Sequence, residues 1–234
     1  MFSVNDNFLT NDVLLDADIN YCIQVPEKVD NSLYEFYTLL VELETAEETI
    51  WNNIYHRTRD EINSFVNNQQ FEYEVIFDLS LKQFNEFVHL YDKFAKLKGI
   101  SKAERFRLKA YWENELFAVS YIKQDNEYLC INYYRVTKQR ASNLYTFNLK
   151  QLQASNFSSS HFGRAHRALH WLDIKSFKKL GVANYDFCGW YNGTDDEQLL
   201  SINKFKEQFS SNRIKEYSGV VYKSKIVKFL KRWI

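Results

Sequence analysis

The chain has 234 residues, with 30 basic and 30 acidic side chains, so its formal net charge is zero. This balance argues against a protein that binds nucleic-acid phosphates, since such proteins usually carry a basic excess. Aromatic residues make up 17% of the chain, which contains one proline and six glycines, and this composition excludes a disordered or fibrous protein.

The N-terminal segment and the cysteines indicate a cytoplasmic protein. MFSVNDNFLTND has neither the basic region nor the apolar region of a signal peptide. No apolar run approaches the roughly 18 to 20 residues that span a bilayer. Cys22, Cys130 and Cys188 form no CxxC pair and have apolar neighbours, so we expect buried reduced thiols, with no disulfide and no metal.

The first part of the chain is predicted to form a strand, a long helical region and a second strand. The segment DINYCIQV is typical of a strand and ends before Pro26. From Ser32 to about Asn68, apolar residues recur at the three- and four-residue spacing of a helix. They begin with Leu33, Phe36, Tyr37, Leu40 and Leu43. FEYEVIFD then alternates as a strand does.

The middle of the chain is predicted to contain two helices and three strands. Ser80 can cap a helix that ends at Gly99, and SKAERFRLKAYWENE follows as a short polar helix. The strand-like runs are LFAVSYIK, EYLCINYYRVTK and NLYTFNL. The turn QDNE joins the first two of them as an antiparallel hairpin.

The last part of the chain is predicted to alternate between helices and strands. After the loop LQASNFSSS, a helix runs from about Arg164 to Leu180 and ends at Gly181, before the strand VANYDFCGW. The helix LLSINKFKEQF and the strand SGVVYK follow. This order predicts a mixed α/β or α+β domain.

One flank of the predicted helix after residue 164 is polar. His166, His170 and Asp173 lie at positions i, i+4 and i+7 and therefore share that flank. Such a spacing can seat a metal ion. Because Ala168 and Leu169 make the opposite flank apolar, we expect instead a polar flank that faces solvent or a neighbouring chain.

The C-terminal segment YKSKIVKFLKRWI interleaves basic and apolar residues, which predicts an amphipathic helix. Such a helix either docks on the domain or lies on a membrane surface, and the sequence leaves both alternatives open.

The segment SHFGRA has the composition of an anion-binding turn. Small residues let several backbone N–H groups approach an anion, and the N-terminus of the following helix adds its positive end. The segment resembles the Gln/Arg-x-x-Gly-x-Gly/Ala signature of the GNAT superfamily of N-acyltransferases. Gly163 and Ala165 match that signature, whereas Ser160 stands where Gln or Arg is usual.

A more specific resemblance is to the FemAB-like branch of that superfamily. GRAHRALHWLDIKSFKKLGVANYDFCGW, followed by INKFKEQFSS, is similar to the C-terminal part of these proteins. WNNIYHRTRDEINSF is similar to the helix that precedes their second GNAT unit. The resemblance covers roughly residues 50 to 222.

The resemblance implies an α+β GNAT fold, a central and mostly antiparallel sheet flanked by helices, with an N-terminal strand and helix extension. Residues 1–70 are then an N-terminal extension packed on the core, residues 71–222 the acyltransferase core, and residues 223–234 the basic amphipathic tail.

The function that this resemblance implies is transfer of an acyl group from acyl-CoA to an amine, by direct attack and without a metal. Short relatives acylate nucleotide-linked amino sugars for surface polysaccharides such as lipopolysaccharide, so the expected acceptor is a small amino-sugar nucleotide. A FemAB-type transferase that uses aminoacyl-tRNA in cell-wall synthesis is the alternative, and only that alternative implies a nucleic-acid partner. A third alternative is a non-catalytic GNAT-like binding module. The sequence also allows a homodimer.

The resemblance also implies which residues form the site. The expected acyl-CoA contacts, which include backbone N–H groups that stabilise the oxyanion, are Phe147, Asn148, His161, Phe162, Gly163, Arg164, Ala165 and His166. The expected acceptor contacts are Tyr133, Arg135, Trp190, Tyr191 and Lys206.

Asp186 is the candidate catalytic residue. It lies within the apolar strand NYDFCGW, where a buried carboxylate is unfavourable unless it is paired or hydrogen-bonded. Asp186 is therefore either a structural anchor or the base that deprotonates the acceptor amine.

Overall fold

A computed structural model describes residues 3–68, 70–152, 156–224 and 226 of the chain. The predicted amphipathic tail lies, from residue 227 onward, outside the described residues. The described residues form two compact units, each built from separate stretches of the chain. One unit comprises those of Met1–Leu39, Gly189–Lys204 and Ser211–Ile234, and the other those of Leu40–Cys188 and Phe205–Ser210. The boundary predicted at residue 70 falls inside the second unit.

The described residues combine strands and helices as predicted for a mixed α+β fold. The strands are β1 Val4–Phe8, β2 Ile19–Val25, β3 Tyr34–Glu42, β4 Glu72–Ile76, β5 Phe117–Gln124, β6 Glu127–Val136, β7 Arg140–Asn148, β8 Asn184–Asp186 and β9 Asn212–Tyr222. The helices are α1 Glu47–Asn53, α2 His56–Asn68, α3 Leu81–Lys98, α4 Arg105–Glu113, α5 Ser159–Lys179 and α6 Glu197–Glu207. None of these helices has both the length and the apolar character that a membrane span requires.

The first unit is a small sheet with its own apolar core. Strand β1 runs parallel to β2, and β2 pairs with β9 in the antiparallel direction. The buried side chains of this core are Cys22, Val25, Leu33 and Val221.

The second unit is a larger sheet in the order β3-β8-β7-β6-β5-β4, to which β3 contributes its last residues. All neighbouring strands are antiparallel except β7 and β8, which are parallel. Helix α3 packs on one face with Tyr133 and Phe147, and helix α5 packs on the other with Ile122 and Cys130. Because successive side chains of a strand point to opposite faces, β5 and β6 need apolar residues on both faces, and most of their residues are accordingly apolar or aromatic.

Local signals predicted several boundaries correctly. The Ser80 side chain accepts a hydrogen bond from the Gln83 N–H, Gln83 bonds back to Ser80, and Gly99 ends α3 with φ of 65°. Asp125 and Asn126 adopt φ of 52° and 63° between β5 and β6, as a two-residue hairpin turn requires.

The helix predicted from Ser32 is wrong over its first part, because residues 34–42 form strand β3. The segment YEFYTLLVE is rich in aromatic and β-branched residues, which favour a strand. Leu40 and Val41 pair with Asp186 and Tyr185 of β8, which lie far away in the sequence. This long-range pairing overrides the helical spacing of the apolar residues.

Candidate functional site

Strands β7 and β8 pair over only a short distance. Ser142 is the last residue of β7 to pair with β8, opposite Asp186. Beyond it, residues Asn143–Asn148 of β7 pair only with β6 among the described strands. A bulge at Leu144 accompanies this change, since Tyr133 and Tyr134 pair with Tyr145 and Asn143. We call the end of the β7–β8 pairing the fork, and such ends of parallel strands commonly bind ligands.

Helix α5 begins before the predicted position. Its first residue is Ser159, and the Ser158 side chain accepts the His161 N–H at 3.2 Å as an N-cap. The prediction that α5 starts near Arg164 is therefore wrong, because the cap lies upstream and Gly163 is accommodated within the helix. The positive end of the helix lies at residues 158–160, where the Lys150 ammonium group donates to the Ser159 hydroxyl.

Six of the eight predicted acyl-CoA residues, 161–166, occupy the first two turns of α5, and the other two lie in β7. Phe162 and Ala165 are fully buried against the sheet, and His161 Nε2 lies 2.8 Å from Gln124 Oε1. Gly163 and Arg164 are half-buried. The structure therefore directs His161, Phe162 and Ala165 into the packing and leaves Gly163 and Arg164 on the accessible side of the helix start.

Gly163 is not required by the packing of the described residues. A Cβ atom at this position would meet only Arg167 Nη1, at 3.4 Å, which is an ordinary contact. A glycine inside a helix costs about 0.5–1 kcal/mol relative to alanine. The packing of the described residues gives no reason for this cost in stability.

The polar flank of α5 faces the sheet, so the prediction that it faces solvent or another chain is wrong. His170 and Asp173 are buried, and the strands supply polar partners for them. The hydroxyl and amide groups that donate to the Asp173 carboxylate are Ser120 Oγ at 2.7 Å, Asn132 Nδ2 at 2.9 Å, Tyr134 Oη at 2.6 Å and Tyr73 Oη at 3.0 Å. Burial raises the pKa of Asp173 to about 6, and these hydrogen bonds oppose the rise.

The two histidines of this flank bond to the two strands that separate at the fork. His166 Nε2 lies 2.5 Å from Thr146 Oγ1 in β7, and His170 Nδ1 lies 2.6 Å from Tyr185 Oη in β8. Burial lowers the pKa of His166 to about 4 and that of His170 well below its usual value, so both rings are neutral at pH 7. No group of three or more metal-ligating side chains occurs in the part of the chain that the structure describes.

Asp186 lies fully buried at the end of the β7–β8 pairing. Its Oδ2 atom is 3.1 Å from the Arg140 guanidinium and 3.5 Å from the Ser142 hydroxyl. Its Oδ1 atom accepts the Cys188 N–H at 2.7 Å. The sequence left two roles open for Asp186, a structural anchor and a catalytic base. These contacts are those of a structural anchor.

Lys206 meets the segment that follows Asp186. Its ammonium group donates to the Cys188 carbonyl oxygen, and partial burial lowers its pKa. The neighbouring Phe205 ring stacks on His166 with the centroids 5.4 Å apart. The last residues of α6 therefore lie beside the polar flank of α5.

Two of the predicted acceptor residues lie on the α3 side of the sheet. Tyr133 is fully buried and donates to the Phe87 carbonyl oxygen at 2.5 Å. Arg135 lies over the Tyr111 ring at 4.6 Å. Phe147 is buried in the same cluster as Tyr133, and Asn148 pairs with Cys130 at the end of β7. Arg135 pairs with Ser142, which in turn pairs with Asp186, so Arg135 lies two strands away from Asp186 on the same face of the sheet.

Trp190 and Tyr191 belong to the first unit. The Trp190 N–H donates to the Tyr37 carbonyl oxygen at 2.6 Å, and the Arg213 guanidinium lies 5.5 Å from the Trp190 ring centre. The Tyr191 N–H donates to Asn203 Oδ1 at 3.1 Å. Both rings are half-buried and retain exposed surface.

The sequence analysis missed the partners of the α5 polar flank, which are the polar residues of the strands. Ser120, Asn132, Tyr134 and Tyr185 are buried members of this network. A signal was present, because Ser120 and Asn132 interrupt otherwise apolar strands, and a buried polar group needs a partner.

No protein-family model and no curated protein matches this sequence. Solved structures share its fold. FemX is similar with a TM-score of 0.61 and 11% identity, over 93% of this chain and 68% of FemX. The C-terminal domain (DUF2156) of a putative lysylphosphatidylglycerol synthetase from Agrobacterium fabrum has a TM-score of 0.53 and 13% identity, over 92% and 70% of the two chains. L-PGS from Bacillus licheniformis has a TM-score of 0.53 and 15% identity, over 91% and 70%.

These similarities show that the chain shares the fold of FemX, of the putative lysylphosphatidylglycerol synthetase domain and of L-PGS, as its resemblance to FemAB-like proteins predicted. At identities of 15% or less, they establish a shared fold, and this chain spans about two thirds of the FemX length.

Proposed function

We propose that the protein is an N-acyltransferase that moves an acyl group from acyl-CoA to the amine of a nucleotide-linked amino sugar. The observation that carries this proposal is the fork between β7 and β8, from which the edge of β7 runs towards the capped N-terminus of α5. An extended donor that lies along this edge can place its phosphates at the helix start.

The β7 edge suits the extended part of the donor. Residues Asn143–Asn148 have no strand partner on the β8 side among the described residues, so the edge can bond to an extended chain that carries amide groups, as the pantetheine arm of CoA does. The His166–Thr146 contact holds the start of α5 alongside this edge. An arm on this edge would therefore lead towards the start of α5.

The start of α5 suits the phosphates of the donor. Ser158, Ser159 and Ser160 surround the positive end of the helix, and Lys150 and Arg164 add cationic groups. Gly163 is accounted for if phosphates or the arm approach the helix closely, because no contact among the described residues requires a glycine there. The anion-binding end then lies a few residues upstream of the GRA segment.

The acceptor is expected to be a small anionic molecule that carries a ring. Trp190 and Tyr191 keep exposed ring surface on which a base or sugar can stack. These assignments rest on the resemblance and on the exposed surface of the two rings.

The chemistry is direct attack of a neutral amine on the thioester carbonyl. The C–N bond forms, the C–S bond breaks, and the thiol leaves with a proton that comes from the amine. No covalent enzyme intermediate is needed, so no cysteine or serine nucleophile is proposed.

The second candidate is a FemAB-type transferase whose donor is aminoacyl-tRNA. The fold similarity to FemX and to lysylphosphatidylglycerol synthetase favours it. The name of the latter denotes attachment of lysine to a lipid, which is transfer of an aminoacyl group. The α5 N-terminus suits a tRNA phosphate as well as a CoA phosphate.

Calorimetric titration with acetyl-CoA and, separately, with tRNA distinguishes the candidates. Binding of acetyl-CoA that is lost in Gly163→Val supports the first candidate. The control is Lys179→Val, which places the same branched residue at an exposed position of α5 and should retain binding.

Binding of tRNA alone would favour the second candidate. Binding of neither ligand would favour a non-catalytic module. A Gly163→Val variant that binds acetyl-CoA as tightly as the wild type would show that the phosphate site lies elsewhere.

A further inference from the structure

A chain of hydrogen bonds between Asp173 and His170 defines where the protons lie. Tyr134 donates its single hydroxyl proton to Asp173 Oδ2 at 2.6 Å. The 2.8 Å contact between Tyr134 and Tyr185 therefore needs Tyr185 as the donor. Since Tyr185 has then used its proton, its 2.6 Å contact with His170 requires Nδ1 to carry a hydrogen and donate it.

This tautomer leaves a lone pair on His170 Nε2. Among the described residues this buried atom has no hydrogen-bond partner. The ring centres of Phe187, Phe205 and Phe209 lie 5.2, 5.4 and 5.6 Å from that of His170, and phenyl rings offer no strong donor. Leaving a buried acceptor unsatisfied is unfavourable, so this arrangement calls for a donor from outside the described residues.

The position of His170 points to the fork. His170 bonds to β8, and His166, one helical turn earlier, bonds to β7 just beyond the pairing. Asn143 lies on the same stretch of β7, opposite Tyr134, and its buried Nδ2 atom has no hydrogen-bond partner within the described ranges of the chain. Residues directly opposite each other share a face of the sheet, so an unmatched donor and an unmatched acceptor lie on the α5 face. The attacking amine needs the acceptor, and the carbonyl group of the acyl donor needs the hydrogen-bond donor.

We propose that His170 Nε2 accepts the proton of the attacking amine. The proposal rests on the proposed function. The amine nitrogen forms the C–N bond with the thioester carbonyl, and its proton moves to Nε2. The electron pair of the C–S bond leaves with sulfur, and Nε2 returns the proton to that sulfur, so that the product is a thiol. With an ester donor, the leaving oxygen takes the same proton.

The Asp173 carboxylate supports this role from a distance. When Nε2 takes a proton, the imidazolium charge is stabilised through Nδ1–H, Tyr185 and Tyr134 by the buried carboxylate. Asp173 is thus a positioning residue that selects the tautomer, as a carboxylate does behind a catalytic histidine. Burial keeps the pKa of His170 low, so the lone pair is present before the reaction and the proton is readily returned.

Nitrogen NMR of histidine-labelled protein tests the tautomer without any substrate. The His170 signals are assigned by their loss in His170→Gln. We expect Nδ1 to carry the proton in the wild type and Tyr185→Phe to shift the population towards Nε2–H, because it removes the acceptor of Nδ1–H. Tyr73→Phe is the matched control, since it removes a hydroxyl from the other oxygen of Asp173 and should leave the His170 signals unchanged. A wild-type protein with the proton on Nε2 overturns the proposal.

Kinetics test the role in transfer. His170→Gln is expected to lower kcat about 100-fold or more, with the KM of the donor nearly unchanged. Full activity of the folded variant overturns the proposal, and if this variant fails to fold, the wild-type tautomer remains decisive. If the enzyme is active and Nε2 carries the proton, the role of His170 is refuted and the proposed function is not. A wild-type protein that transfers no acyl group from either donor refutes the proposed function, even with the expected tautomer.

Discussion

Arg140 and Asp186 form a buried ion pair between two parallel strands, with Nη1 3.1 Å from Oδ2. The pair lies where β7 and β8 stop pairing, and the Cys188 N–H occupies the second carboxylate oxygen. It therefore holds the end of β8 in place beside the fork.

Removing the carboxylate is expected to destabilise the protein strongly. Asp186→Ala removes the carboxylate partner of the buried Arg140 guanidinium, and breaking a buried ion pair from one side typically costs about 3–5 kcal/mol in the free energy of unfolding. Urea unfolding measures this change. Glu113→Ala is the control, because its pair with Lys109 is exposed and should contribute far less. Equal effects of the two substitutions would contradict a structural role for the buried pair.

Asp186→Asn separates the anchor from the catalytic base. The amide keeps the size of the side chain and loses the charge that pairs with Arg140. We expect a lower free energy of unfolding and a kcat close to that of the wild type, measured well below the melting temperature. A large loss of kcat in folded protein, with unchanged binding of donor and acceptor, would instead assign the base to Asp186.

Two glycines are expected to respond in opposite ways to substitution by alanine. Gly163→Ala should stabilise the protein by about 0.5–1 kcal/mol, because the position is helical and has room for a methyl group. Gly181→Ala should destabilise it by about 1–2 kcal/mol, because φ there is 75°, although no atom lies near the new Cβ. Thermal unfolding measures both changes.

Gly163→Ala should weaken acetyl-CoA binding, whereas Gly181→Ala should not. Titration with acetyl-CoA measures both affinities. Unchanged affinity in Gly163→Ala, together with the gain in stability, would mean that no ligand approaches the helix at this glycine.

The pH dependence of stability is expected to be steeper in Asp173→Asn than in the wild type. His166 has a pKa of about 4 when folded and about 6.5 when unfolded, so the unfolded chain binds more protons between these values and stability rises with pH. Asp173 has a pKa of about 6 when folded and about 3.9 when unfolded, so its contribution falls as pH rises through that window. Removing Asp173 leaves the contribution of the histidines unopposed.

Urea unfolding between pH 4 and 7 measures these slopes. His166→Gln should flatten the dependence, because it removes part of the rise. A shallower slope in Asp173→Asn would show that the carboxylate is already ionised throughout this range in the folded protein.

Trp190→Ala is expected to raise the acceptor KM about tenfold or more, because stacking on a ring contributes about 1–3 kcal/mol. The affinity for acetyl-CoA should change little. Trp51→Ala is the control, since Trp51 packs on Trp171 in the second unit and is not expected to affect the acceptor. Loss of acetyl-CoA binding in Trp190→Ala would show that this ring contacts the donor.

Features that depend on neighbouring residues could be predicted from the sequence. The capping box at Ser80, the left-handed Gly99 and the hairpin turn at Asp125 and Asn126 are decided within a few residues, and the structure has each of them. The segment from Gly163 to Trp190 likewise resembles FemAB-like proteins, and the chain shares the fold of FemX.

Features that depend on distant partners could not be predicted in the same way. The start of α5 was misplaced because a glycine within a helix looks like a turn, and the structure shows the cap at Ser158. The polar flank of α5 was assigned to solvent because its partners Tyr134 and Tyr185 lie on strands that tertiary folding brings to the helix.

By itself, the sequence determined that the chain folds, that its fold is α+β, and where most of its helices and strands lie. It also contains the small-residue motif of α5. Only the tertiary structure decided that residues 34–42 form a strand, that Asp186 pairs with Arg140, and that Asp173 and His170 belong to one buried hydrogen-bonded chain. The reason is that helix spacing, caps and turns are local, whereas strand pairing and the burial of polar groups depend on partners that lie far apart in the sequence.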